Sequence, residues 1–77
     1  MDTKIVADAL REMVELSYLP DEHEEYGKDH LRYMIDKIVS GEVSGEKSHR
    51  WVGWLQACVC IGKGGSLENM KRINKEA

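Results

Sequence analysis

The chain of 77 residues has only two cysteines, one proline, and no apolar run long enough to span a bilayer. Each shortage excludes a class of protein. Cys58 and Cys60 form a C-x-C pair, which is not a disulfide framework. On a helix they would project about 200° apart, because each residue turns the chain by about 100°. They can then neither bond to each other nor share a metal, and read as two small hydrophobes of a core. The longest apolar run, Trp51 to Ile61, is interrupted only by Gly53 and Gln56 and falls short of the about 20 residues a membrane helix needs. The first residues, Met-Asp-Thr-Lys, lead into an amphipathic segment and not an apolar one, so no secretory signal is expected. With free cysteines, this points to the cytoplasm.

Chemical motifs are equally scarce. Gly62-Lys-Gly-Gly-Ser66 precedes a helix, but Lys63 comes before the last glycines and so breaks the phosphate-loop pattern. The segment reads first as a helix end followed by a helix start, with an anion contact through Lys63 as the alternative. His23 and His30 are seven residues apart, about 10 Å on a helix, too far to bind one metal alone. Ser48 and His49 are adjacent and would diverge, so no nucleophile–base pair can be assembled. No enzyme activity, metal or cofactor is expected.

Charge is unevenly spread. Residues 1–26 carry eight acids against two bases, a balance of −6; residues 27–77 carry nine bases against six acids, a balance of +3. The acidic front argues against general nucleic-acid binding, which needs a phosphate-neutralising surface. No internal repeat, low-complexity segment or strand-like alternation is present.

What is present is helical periodicity. Ile5, Val6, Ala9, Leu10, Met13 and Val14 follow the spacing of one helix face, capped by Asp2 or Thr3, and predict a helix over 3–17 that Pro20 cannot prolong. The acidic stretch Asp21–Glu25 could open a second helix behind an Asp21 cap. Gly27 disfavours that start, and the helix is firm only over 29–40, where Leu31, Met34, Ile35 and Ile38 form the inward face. Tyr26 and His30 would extend that face backwards. Ser44 caps a third helix running to Ile61 or Gly62. Its inward face is expected to be Trp51, Trp54, Leu55, Cys58 and Ile61, widened by Val52 and Val59. Being apolar on nearly every side, it should be wrapped on nearly every side, with Gly53 admitting a neighbouring helix. Ser66 caps a last short helix over 67–75, with Leu67, Met70 and Ile73 inward and a frayed tail. The expected fold is all-α: a compact bundle of three main helices plus a short C-terminal helix in one domain. A core this small favours self-association into an oligomer.

The start of the third helix, Lys47-Ser-His-Arg-Trp51, is the candidate site. Lys47 and Arg50 are spaced to grip one anion, Arg50 and Trp54 to stack as cation and ring, and Trp51 offers a flat surface to a base or a partner side chain. The candidate binding residues are thus Lys47, His49, Arg50, Trp51, Trp54 and, through the glycine loop, Lys63. The competing reading makes both tryptophans core and the bases decoration of a first turn.

His49-Arg-Trp-Val-Gly-Trp-Leu-Gln56 followed by Gly65-Ser-Leu-Glu-Asn-Met-Lys-Arg-Ile-Asn74 resembles the C-terminal half of small uncharacterised proteins encoded by phages and prophages, over about residues 30–75. The resemblance implies a stoichiometric accessory protein in a host cytoplasm, binding and inhibiting a host defence protein. An alternative it also implies is an oligomeric sponge for a small anionic nucleotide signal. A structural or assembly oligomer is the third reading.

Overall fold

The computed structural model describes all 77 residues and contains five helical segments and no strand. These are α1 (Thr3–Ala9), α2 (Arg11–Leu16), α3 (Lys28–Val39), α4 (Gly45–Ile61) and α5 (Leu67–Glu76). None of these helices is long and apolar enough to cross a membrane.

The predicted first helix is present but bent, which makes α1 and α2 its two halves and leaves four helices in the bundle. At the bend the Leu10 N–H is shared between the carbonyls of Val6 and Ala7, a tightening of one turn that leaves Leu10 buried. Asp2 caps the start as expected, accepting from the amides of Lys4 and Ile5. The inward face is rotated from the predicted one: Val6, Ala7, Leu10 and Val14 are buried, while Ile5 and Ala9 are exposed. The helix ends at Leu16, one residue short of Ser17, whose backbone is already extended.

The acidic stretch forms no helix. Residues 21–27 make a turn, Gly27 stands at the N-cap position, and α3 begins at Lys28. A side chain at Gly27 would collide with the backbone at Glu22 and His23, so the turn folds back onto the start of α3. Tyr26 is exposed and does not extend the α3 face.

The largest correction concerns α4. Its buried residues are Ser48, Val52, Leu55, Cys58 and Val59; Trp54 and Ile61 are exposed and Trp51 only partly covered. The helix is wrapped on one side only. Gly53 receives no neighbouring helix, since a Cβ there would meet nothing within 4 Å. Ser44 holds the N-cap position, but its side chain makes no capping bond. Instead the Ser48 hydroxyl bonds the Gly45 carbonyl at 2.7 Å and the Thr3 hydroxyl at 3.0 Å, which ties the first turn to α1.

The 62–66 loop is the helix end and helix start the sequence predicts. Gly62 ends α4, and Ser66 and Asn69 form a reciprocal capping box on α5. Lys63, although not a glycine, takes the left-handed φ of 61°. The glycines here serve packing: side chains at Gly62, Gly64 and Gly65 would strike Ser17, Met13 and Met70. In α5, Met70 is buried but Leu67 is exposed. The structure carries α5 one residue past the expected end, to Glu76, and the Asp2 N–H donates to the Ala77 carbonyl at 3.2 Å.

Fourteen buried residues make one core, built mainly of Val6, Leu10 and Val14 against Leu31, Ile35, Ile38, Val52, Leu55 and Val59. It contains no aromatic residue.

Candidate functional site

With the core closed by aliphatic side chains, all three tyrosines and Trp54 are exposed, and Trp51 lies half-buried at the core's edge. Helix periodicity explains why the α4 aromatics go together: Trp51 and Trp54, three residues apart, share a flank. That flank adjoins α3 and the 18–27 loop, so the aromatics gather on one side of the molecule in two neighbouring groups.

The first group is a seam between α3 and α4. The rings of Tyr33 and Trp51 lie 6.5 Å apart and are tilted by 40°, and His30 stacks beside Tyr33 at 6.2 Å. Two lysines sit over these rings, Lys37 with its Nζ 5.4 Å from the Tyr33 centroid and Lys47 with its Nζ 5.3 Å from that of Trp51. The Glu42 carboxylate, hydrogen-bonded to Lys37, raises the lysine pKa and keeps it charged.

The second group is a groove of about 290 Å³ lined by Tyr18, Leu19, Pro20, Tyr26, Trp54, Cys58 and Ile61. The indole N–H of Trp54 donates to the Glu25 carbonyl at 2.8 Å and pins the loop to α4. Inside the loop, His23 stacks on Tyr26 at 3.6 Å and its Nδ1 accepts the amides of Glu25 and Tyr26. His23 is therefore occupied in shaping the turn. The loop carries Asp21, Glu22, Glu24 and Glu25, none of which has an ion-pair partner. Cys58 forms part of the wall, and burial pushes its thiol pKa up.

The predicted residues are only partly brought together. Lys47, Trp51 and Trp54 share the aromatic flank. Arg50 does not stack on Trp54; the cation–ring contact belongs to Lys47 and Trp51 instead. His49 and Arg50 are exposed, and on a helix they diverge from Trp51 by about 200° and about 100°. Lys63 stands at the other end of α4, about 24 Å along the axis from Lys47. The loop amides it would combine with are largely taken, since Gly64 N–H bonds Val59 and Ser66 N–H bonds Asn69. Sequence reasoning passed over Tyr18 and Tyr33 altogether. The available signal was their absence from the periodic positions of every inward face.

A second, larger depression of about 380 Å³ lies between α2 and α3, lined by Arg11, Glu12, Glu15, Arg32, Ile35 and Asp36. Its guanidiniums are already paired. Arg11 bonds Asp36 and Asp8, and Arg32 clasps Glu15 with two bonds of 2.7 and 2.6 Å. Asp36, then Asp8, raises the Arg11 pKa, and Arg32 lowers that of Glu15. The depression is an ion-pair clasp between helices, with no guanidinium free for an anion. No group of three or more His, Cys, Asp or Glu side chains converges as a metal site would require.

No protein-family model, curated protein or solved structure matches this chain.

Proposed function

We propose that this chain works stoichiometrically, by binding and inhibiting a host protein, as its resemblance to phage-encoded accessory proteins implies, and that it does so in the host cytoplasm. One observation carries the binding reading: no tyrosine or tryptophan is among the fully buried core residues, the three tyrosines and Trp54 being exposed and Trp51 only half-buried against the core's edge. Aromatic residues concentrate where protein interfaces gain most of their energy. Tyr33 and Trp51, with Lys37 and Lys47 above their rings, form the contact centre. Lys37 is already paired with Glu42, so Lys47 is the cation left to meet a partner's carboxylate beside the rings, which suits a partner that presents a large apolar side chain next to an acid.

The sponge reading has less in its favour. A nucleotide needs a concave site that buries most of its surface, and neither cavity is lined by Lys47, Arg50 or Trp51.

The test is affinity capture from the host, paired with the growth or defence phenotype of cells expressing the protein. Tyr33→Ala combined with Lys47→Glu alters two exposed side chains and should leave the helical circular dichroism unchanged. Capture and phenotype are expected to fall together, by roughly tenfold or more. If both persist at wild-type level, the seam is not the contact.

A further inference from the structure

The groove half of the aromatic face has its own chemistry, distinct from that of the seam. On α4, Arg50, Trp54, Ala57 and Ile61 recur at i, i+4, i+7 and i+11 and are all exposed. Beyond Arg50 this stripe holds no long polar side chain as far as Ile61. Beside it stand Tyr18, 85% exposed, and Tyr26. Ile61 is 77% exposed, on the same helix whose opposite side fills the core. An exposed apolar surface of this kind, rimmed by polar groups, marks an interaction site.

The charges indicate what covers it. At one end of the stripe is Arg50, which has no ion-pair partner within the chain; alongside the other end, next to Pro20 and Ile61, begins the acidic loop, whose four carboxylates also make no ion pair, although Asp21 lies within electrostatic reach of Arg32. Glu46, one turn before Arg50, and Lys63, just beyond Ile61, are exposed and unpaired as well. In a two-fold pairing Glu46 comes to the partner's Lys63 end as Arg50 comes to its acids, so the face complements itself after that rotation. That is the requirement of an isologous interface, where residue i meets j and j meets i.

We infer that the groove face is the homodimer interface, in which α4 packs antiparallel against α4 of a second copy. Trp54 of each copy then faces Ala57 of the other, where the small side chain leaves room for the indole. Arg50 of each copy reaches the partner's Ile61 end and meets Asp21 and Glu22 there. Antiparallel pairing also sets the helix dipoles in their favourable sense. The stripe is about 16 Å long, so with the groove wall the buried area lies at the low end of specific interfaces, which bury about 1,200–2,000 Å² in total. A weak, reversible dimer is expected. This inference does not rest on the host-partner reading, because a second copy is always present in the purified protein.

Sedimentation velocity of the full chain, from low to high micromolar concentration, tests it. The wild type should shift from monomer to dimer. Ala57→Glu should abolish the shift, with helical circular dichroism confirming that the variant is folded. Arg50→Glu should weaken dimerisation about tenfold, and adding Asp21→Arg and Glu22→Arg to Arg50→Glu should restore it. A wild type that stays monomeric throughout, or a dimer indifferent to Ala57→Glu, overturns the inference. A charge swap that fails to restore an Arg50→Glu dimer overturns the antiparallel arrangement.

Discussion

The Trp54 indole donates to the Glu25 backbone carbonyl, and this is the only side-chain hydrogen bond between α4 and the 18–27 loop. Tyr18 N–H to Gly62 carbonyl anchors the loop's beginning, and the amides of Lys28 and Asp29 bond the Pro20 and Asp21 carbonyls to hold it to α3, so Trp54 is the tie between its far end and α4. Trp54→Phe keeps an aromatic ring in the groove and removes the donor. A typical net hydrogen bond contributes about 0.5–1.5 kcal/mol, and denaturant unfolding should show a loss in that range. Hydrogen exchange should quicken in residues 21–27 more than in α1 or α3. Equal protection in the two proteins would show that the bond does not hold the loop.

Two glycines should respond to alanine in opposite senses. At Gly64 a Cβ would run into the Met13 carbonyl and the Ser17 hydroxyl, and at Gly53 it would meet open space inside a regular helix. Gly64→Ala should destabilise by about 1–3 kcal/mol, as overpacking does, while Gly53→Ala should stabilise by about 0.5–1 kcal/mol through helix propensity. Thermal melts at low protein concentration check both signs, and a destabilising Gly53→Ala would mean that something does approach that backbone.

Acid should weaken the clasp between α2 and α3. Arg32 holds the Glu15 carboxyl below its ordinary pKa, so below the usual glutamate range the unfolded chain takes up a proton that the folded one resists. The stabilisation is therefore fully present above about pH 4.3 and is lost as pH falls through the lower, folded value. Glu15→Gln should differ from wild type in stability at neutral pH and converge with it in acid. A difference that does not change with pH would rule out the ion pair as its source.

Cys60 should react with a thiol reagent before Cys58. Cys58 is 3% exposed, with its pKa raised by burial, whereas Cys60 is only partly covered. Peptide mapping after limited alkylation of the native protein would give the order; the reverse order would contradict the orientation of α4.

Local chemistry was legible in the sequence wherever one residue type is needed at one place. Asp2, Gly27, Gly62 and Ser66 mark helix limits because caps and breaks are short-range events. The facing of α3 was legible too, since Leu31, Met34, Ile35 and Ile38 leave only one apolar side. In α4 the same rule fails: Val52, Leu55 and Val59 propose one face, Trp54 and Ile61 another, and periodicity cannot choose between two apolar sides. The choice is made by packing, since the space beside Val6, Leu10 and Ile35 is filled by aliphatic side chains. The groove was invisible for a related reason. Its walls come from a loop and a helix about 30 residues apart in sequence, joined by contacts with no local pattern.

An aromatic-free core also decides what light can report about this protein. Trp54 is exposed and Trp51 only partly covered in the native state, so their emission should begin red-shifted relative to a buried indole and change less on unfolding than that of a core tryptophan. The same emission should respond to anything that settles over the two rings. In this chain, intrinsic fluorescence is a gauge of occupancy, and helix content has to be followed by the backbone's own absorption.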